Sequence, residues 1–327
     1  EKGQLVIDAE KELPEDKTVV DFNMKSIITA PVVTAGKVLG AIYLDNRQVK
    51  GLFTPDNFEL LKAFAIESAI SIENAKLYEQ VHEKAMMEQE MAIAQRIQTV
   101  LLPRKPKIEG YEIAGYMQPA DEVGGDYYDV INVEGRDWIV IGDVSGHGLT
   151  AGLIMMMAQT AIHVALNQNP DIPPSELLVA INDTIAHNIK LLGESKYMTM
   201  TVLAGAKDGV FTFSGLHQDI IIYRAETNTI EAHETVGMWI GVVDNLEGMV
   251  LNDTVTLHPG DICLLYTDGV TEALDKEEQM YGDERLRDTL LKYCDKSPVE
   301  IKDSILKELD DYVKDDDVTM VVIKRNN

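Results

Sequence analysis

The middle of the chain reads Val123-Gly124-Gly125-Asp126-Tyr127-Tyr128-Asp129 and then Ile141-Gly142-Asp143-Val144-Ser145-Gly146-His147-Gly148. In both stretches an aspartate stands near glycines at one end of an apolar run that predicts a strand. Asp268 before Gly269, and the pair Asp316-Asp317 before Val318, have comparable settings. A single aspartate of this kind is most often a structural turn residue. Several carboxylates brought together are costly unless a cation neutralises them, so the set predicts a cation site.

The residue types around these aspartates restrict the chemistry of that site. Ligand sets made only of oxygen favour Mg2+ or Mn2+ over zinc. The seven histidines form no HExxH motif and no close pair, which also disfavours zinc. The chain has neither a GxSxG elbow nor a GxxxxGK[ST] loop, which disfavours a serine hydrolase and a P-loop NTPase.

Composition narrows the possible partners and the cellular compartment. A length of 327 residues suits one large domain or two ordinary ones. A net charge of -26 disfavours nucleic acid and anionic membrane surfaces as partners, because both are negatively charged. Cys263 and Cys294 form no metal-binding pattern, which fits a reducing cytoplasm. Residues 148–166 lack charge, but Gln159 and His163 favour a buried helix of a soluble protein over a membrane span. Because the chain opens at Glu1 without a signal-peptide pattern, we expect a piece of a longer cytoplasmic protein.

Hydrophobic periodicity predicts strands next to strands, with helices arriving in blocks, which is typical of an α+β layered fold. The predicted strands cover residues 111–118, 128–133, 137–143, 199–206, 210–214, 219–223, 229–235, 254–257, 261–266 and 317–323. The predicted helices cover residues 148–168, 174–192, 282–292 and 298–313.

The front of the chain has a different pattern. Residues 26–44 predict two strands joined by a turn at Ala35-Gly36-Lys37, and Thr54 with Pro55 predicts a helix start. No proline or glycine follows until Pro103, so one long helix or two consecutive helices are expected. Apolar and small residues recur there at spacings of four and three, namely at Leu61, Ala65, Ser68, Ile72 and Ala75. This seam favours a homodimer over the alternative of a helix packed on its own domain.

The four aspartate motifs occur in an order that resembles one known family, the SpoIIE-like (RsbU-like) PPM serine/threonine phosphatases. The resemblance covers residues 90–325 and includes the Tyr-Thr-Asp-Gly-Val-Thr-Glu-Ala string at residues 266–273. It implies a central β-sandwich flanked by helices, with two Mn2+ or Mg2+ ions at one edge. It also implies hydrolysis of phosphoserine or phosphothreonine on a protein substrate, usually a STAS-domain anti-anti-sigma factor.

The same resemblance implies the ligands of the two ions. Asp126 and Asp143 would hold the metals, with Asp143 bridging, and the backbone carbonyl of Val144 would add a ligand. Asp268 and the first residue of the closing Asp-Asp-x-Thr motif would complete the set. That position is Asp316, with Asp317 as the less favoured choice.

The chain departs from the family pattern at three points. Leu216 is inserted into the Gly-His motif, so His217 is expected either to position substrate or to have a structural role. The spacing of His147 from Asp143 does not match the general acid of eukaryotic relatives. No counterpart of their phosphate-binding arginine is found, so phosphate would be held mainly by metal.

Residues 25–80 resemble the last strands and the closing helix of a GAF domain, with Gly36 to Asn46 carrying much of the match. The expected domains are the C-terminal part of a GAF domain at 1–76, a helical linker at 77–104 and the phosphatase at 105–327. The GAF piece and the linker helix would regulate the enzyme. Two alternatives stay open, which are a catalytically silent dimeric signalling scaffold and a two-metal phosphohydrolase acting on a small molecule or nucleotide.

Overall fold

The computed structural model describes residues 2–103, 106–205 and 208–326. The chain separates into two compact units, Glu1–Gln89 and Glu90–Asn327, and each is described by itself. The predicted domain boundary between residues 104 and 105, and the predicted last residue of the strand 199–206, lie outside the described residues.

The first unit contains a three-stranded antiparallel sheet. Its strands, in spatial order, are β1 (Gln4–Val6), β2 (Ser26–Thr34) and β3 (Lys37–Asn46), with the short helices α1 (Ala9–Glu12) and α2 (Lys17–Asp21) between β1 and β2. The predicted turn between β2 and β3 is confirmed. Ala35 and Gly36 have φ angles of 45° and 80°, the backbone that a tight hairpin turn requires.

One continuous helix, α3 (Pro55–Leu101), follows the hairpin. Its first turn is capped as expected, since the Thr54 hydroxyl oxygen accepts the backbone N–H of Asn57 at 3.3 Å. Leu61 and Ala65 are buried against Ile28 of the sheet, so they are not available to a partner helix. The predicted seam is therefore wrong at these two positions, because the small alanine lets the helix pack closely on its own sheet.

The second unit is built from two five-stranded antiparallel sheets. In spatial order one sheet contains β10 (Thr229–His233), β9 (Ile220–Arg224), β12 (Ile262–Tyr266), β13 (Val318–Arg325) and β4 (Tyr111–Gln118). The other contains β11 (Asp253–Thr256), β8 (Val210–Leu216), β7 (Met198–Gly205), β6 (Arg136–Val144) and β5 (Tyr127–Val133). These bounds differ from the predicted strands by one or two residues at most ends.

The two sheets pack face to face, because alternate residues of each strand enter a shared core. Ile139 and Ile141 of β6 meet Cys263 and Leu265 of β12 in that core. The intervening side chain of Val140 points to the opposite face, where it packs with helices. The predicted β-sandwich flanked by helices is thus confirmed.

Helices cover both outer faces of the sandwich. One face carries α4 (Leu149–Gln168) and α5 (Pro174–Leu192), and the other carries α6 (Asp268–Thr271), α7 (Gly282–Lys292) and α8 (Pro298–Glu308). Within the described part of the chain, only α4 is long and apolar enough to cross a membrane by length and composition, and 44% of its most apolar window is buried.

The last helix is shorter than its pattern predicts. α8 begins with a capping box between Ser297 and Glu300 but ends at Glu308 rather than at residue 313. The reason is that Val313 exchanges two backbone hydrogen bonds with Leu274, at 2.8 and 3.0 Å, which draws the chain out of helical geometry.

Candidate active site

Strand register brings the aspartate motifs to corresponding strand ends. Asp126 immediately precedes β5, and Asp143 lies near the end of β6, where Tyr127 is paired with Gly142. In the other sheet Tyr266, two residues before Asp268, is paired with Met320, which directly follows the closing motif. In each of the antiparallel strand pairs, β5 with β6 and β12 with β13, two motifs therefore lie at the same end of the pair.

The first two motifs are in direct contact through their backbones. The amide of Val144 donates to the carbonyl of Gly125 at 3.3 Å. A Cβ atom added to Gly125 would lie 2.6 Å from the carbonyl oxygen of Val144. Glycine at this position lets the loop that carries Asp126 approach the end of β6 closely.

Hydrogen bonds connect the third and fourth motifs to the first. The Thr267 hydroxyl donates to the Asp126 carboxylate at 2.8 Å and accepts the backbone N–H of Thr319 at 3.0 Å. A side chain at Gly269 would collide with the backbone of Asp317, whose carbonyl carbon would be 2.9 Å from the new Cβ. The four motifs thus form one compact cluster, in which Thr267 is a connecting residue that the sequence did not single out.

The carboxylates of this cluster share a poorly solvated environment. Burial, followed by repulsion from Asp268 and Asp316, raises the pKa of Asp143 to about 8. Burial and then the neighbouring Asp143 raise the pKa of Asp126 well above its ordinary value. Burial and then Asp316 raise the pKa of Asp268 to about 6. The ionised forms are therefore disfavoured until a positive charge arrives.

The two aspartates of the closing motif differ in burial and in their hydrogen bonds. Asp317 is 2% exposed, and its two carboxylate oxygens accept backbone N–H groups from Ala120, Gly125 and Asp126, at 2.7, 2.6 and 3.2 Å. Asp316 is half-buried and, among the residues that the structure describes, accepts a hydrogen bond only from the backbone N–H of Asp317, at 2.8 Å. Asp317 thus fastens the loop of Asp126, while the carboxylate of Asp316 has fewer contacts with the protein.

The last turn of α3 also holds the first glycine loop. The buried Gln98 side chain donates to the carbonyl of Gly124 at 2.7 Å and accepts its N–H at 3.1 Å. Gln98 lies within the range 90–325 that resembles the phosphatase family, but nothing in the sequence pattern revealed its contact with a residue 26 positions away.

His147 and His217, to which the sequence assigned no single role, have different surroundings. His147 is exposed and hydrogen-bonded through Nδ1 to Asp121. This hydrogen bond raises the pKa of His147. His217 bonds through Nδ1 to the Thr199 hydroxyl at 2.8 Å, and burial lowers its pKa to about 4. Because Thr199 Oγ1 also donates to the carbonyl of Asp143 at 3.4 Å, His217 supports the strand that carries Asp143.

The chemistry of the cluster suits a hard cation. In the described residues, no three His, Cys, Asp or Glu side chains stand as a ready-made cage. Mg2+ and Mn2+ bind through a few carboxylates and complete their shells with carbonyl oxygens and water. The buried Asp126, the half-buried Asp143 and Asp268, whose carboxyl pKa values are all raised, and the nearby carbonyl of Val144 fit that requirement.

The sandwich has the fold of solved PP2C phosphatase domains. The fold is similar to the SiaA-PP2C domain of Pseudomonas aeruginosa, with a TM-score of 0.63 and 22% identity, covering 74% of this chain and 98% of that one. It is also similar to the PP2C phosphatase domain of SpoIIE from Bacillus subtilis, with a TM-score of 0.52 and 18% identity, covering 67% and 64%.

A family model described as Stage II sporulation protein E (SpoIIE) matches residues 134–326. The chain therefore belongs to the SpoIIE family and is a phosphoprotein phosphatase, a hydrolase. A GAF domain model matches residues 2–72, which confirms the sensor resemblance of the first unit.

Two curated proteins are similar along most of this chain. Phosphoserine phosphatase RsbU of Bacillus subtilis is 29% identical over 244 residues, covering 72% of this chain and 70% of RsbU. Protein IcfG of Synechocystis sp. is 25% identical over 269 residues, covering 72% of this chain and 42% of IcfG. Members of the PP2C class are generally metal-dependent, in keeping with the acidic cluster.

Proposed function

We propose that this phosphatase hydrolyses phosphoserine or phosphothreonine on a cytoplasmic protein, a STAS-domain anti-anti-sigma factor, with two Mn2+ or Mg2+ ions. The observation that carries the proposal is the convergence of buried and half-buried carboxylates, whose pKa values are raised by burial and then by one another. The ions would be held by a set of oxygen ligands, namely Asp126, Asp143, the carbonyl of Val144, Asp268 and Asp316. The similarity to a phosphoserine phosphatase supports the substrate class.

The ions would supply an activated water and neutralise charge on the phosphoryl oxygens. The protein's own residues hold the ligand loops in place around that position. Asp317 and Thr267 fix the Asp126 loop from the opposite sheet, and Thr199 and His217 support β6 behind Asp143. No covalent phosphoenzyme is needed.

Substrate class is tested by a panel measured with Mn2+. We expect a phosphorylated STAS-domain protein to be hydrolysed much faster than a nucleotide at equal concentration. Preference for the nucleotide would favour the small-molecule phosphohydrolase. Absence of Mn2+ uptake in a calorimetric titration, with no turnover of any substrate, would favour the signalling scaffold.

The two hydrogen bonds between the Gln98 side chain and the backbone of Gly124 support regulation through the linker helix. Movement of the last turn of α3 would displace Gly124 and with it the loop that carries Asp126. Gln98→Ala removes both hydrogen bonds. We expect amide exchange of residues 123–126 to become about 10-fold faster, from the loss of a buried hydrogen bond, and the apparent Mn2+ affinity to change with it.

Gln95 provides a matched control, since it lies one turn earlier on the same helix and is exposed. Gln95→Ala should leave amide exchange and Mn2+ affinity as in the wild type. Unchanged exchange in Gln98→Ala would show that the helix end does not order the loop.

A homodimer through α3 is also proposed, with a contact face different from Leu61 and Ala65. Ile66, Ile70 and Leu77 lie at spacings of four and seven residues and are 59, 54 and 51% exposed, a pattern that suits helix pairing. We expect Ile70→Glu with Leu77→Glu to convert a dimer into a monomer in light scattering, with helix content kept.

The exposed Ser71 lies on another face of the helix, so Ser71→Glu should leave the dimer intact. A monomeric wild type at micromolar concentration, or a dimer that survives the double substitution, would contradict pairing through this face.

A further inference from the structure

Lys196 lies beside the acidic cluster, in the connection between α5 and β7. The adjoining backbone is fastened to Ser145 by two hydrogen bonds, from Ser145 N to the Tyr197 carbonyl at 2.8 Å and from Tyr197 N to Ser145 Oγ at 3.1 Å. These bonds do not involve the side chain of Lys196, so they hold its backbone next to the loop that follows Asp143 independently of that side chain.

The ammonium group of Lys196 is directed at this loop. Its Nζ donates to the carbonyl of Ser145 at 2.7 Å and would be 2.9 Å from a Cβ atom on Gly146. Among the residues that the structure describes, no carboxylate is within ion-pair distance of Nζ. An ammonium has three N–H donors, so a half-buried cation at the edge of the cluster keeps donors for a ligand.

The net negative charge of the cluster favours a nearby cation when a phosphoryl group binds. Two divalent ions would balance Asp126, Asp143, Asp268 and Asp316 and leave the charge of Asp317 uncompensated. A phosphoryl dianion would then approach a site of like charge, which is unfavourable in poorly solvated surroundings. His147, another basic group of the same loop, is already paired with Asp121.

We propose that Lys196 binds the phosphoryl group of the substrate. The inference rests on the proposed function and deepens it, since it assigns the phosphate contact to a residue of the chain.

Inorganic phosphate is the probe, with wild type, Lys196→Met and Lys196→Arg loaded with Mn2+. Loss of a charged hydrogen bond predicts phosphate binding about 10- to 100-fold weaker in Lys196→Met, by calorimetry and by inhibition of p-nitrophenyl phosphate hydrolysis. KM should rise with it, Mn2+ affinity should stay within about twofold, and Lys196→Arg should restore most of the binding, since guanidinium also pairs with phosphate.

Lys190→Met is the matched control, because Lys190 is exposed and paired with Asp244 at the end of α5. It should bind phosphate as the wild type does. Unchanged phosphate binding in Lys196→Met, or equal losses of Mn2+ and phosphate binding in the Met and Arg variants, would overturn the assignment. A wild type without Mn2+-dependent turnover would overturn the proposed function as well, and so is distinguishable from failure at Lys196 alone.

Discussion

Asp143→Asn is expected to abolish Mn2+-dependent phosphate release, with kcat/KM lower by about 1,000-fold. Asp143 experiences the charges of Asp268, Asp316 and Asp317 together, which places it at the centre of the cluster. An asparagine keeps the volume but removes the negative charge that Asp143 would supply as a bridging ligand. Steady-state hydrolysis of p-nitrophenyl phosphate across a Mn2+ series measures the effect.

Thermal stability distinguishes loss of the metal site in Asp143→Asn from loss of the fold. The folded-state pKa of Asp143, about 8, lies above the ordinary aspartate value. At neutral pH the cation-free protein must therefore take up a proton at Asp143 on folding, which lowers its stability, and an asparagine has no such cost. Asp143→Asn should therefore melt no lower than the wild type in EDTA, yet gain less from added Mn2+. Asp137→Asn, near the other end of β6, is the control and should keep full activity. Retained activity in Asp143→Asn would contradict the ligand assignment.

Gly269→Ala is expected to destabilise the second unit by about 3 kcal/mol and to remove most of the activity. The added methyl would meet the carbonyl groups of Asp317 and Asp316, which are backbone atoms and cannot move aside as a flexible side chain would. The closing motif would be displaced from the turn after β12. Urea unfolding and Mn2+ titration on the same preparation measure both consequences.

Gly40 gives a control for the glycine-to-alanine change itself. A Cβ atom at Gly40 would have no neighbour within 4 Å, and the residue lies in the strand β3. Gly40→Ala should leave phosphate release and the unfolding of the second unit unchanged. A Gly269→Ala protein as stable and active as the wild type would show that the two motifs are less closely packed than the structure has them.

The sequence predicted the sandwich and its acidic motifs well for identifiable physical reasons. Strands such as β6 and β12 alternate between two apolar environments, and their apolar runs are bounded by glycine turns that only a few backbone conformations satisfy. Asp126, Asp143 and Asp268 stand at those turns, so their positions could be found without knowing which strands pair. Family resemblance then supplied the expectation that the motifs meet.

Features that depend on distant contacts could not be found in this way. Asp317 accepts backbone N–H groups from residues more than 190 positions away. The two neighbouring aspartates of the closing motif differ in these contacts and in burial, and neither difference is visible in the sequence. Val313 leaves its helical pattern because of Leu274. Leu61 and Ala65 have the spacing of a dimer seam but pack on their own sheet, since a helical apolar stripe does not specify what covers it.

The most direct test of a metal-dependent phosphoserine phosphatase is phosphate release from a phosphoserine protein, measured for the wild type with Mn2+ and with EDTA. We expect saturable release that requires Mn2+ or Mg2+, falls to background in EDTA and returns when the ion is restored. Equal rates with and without EDTA would contradict the assignment of the buried aspartates to a cation site.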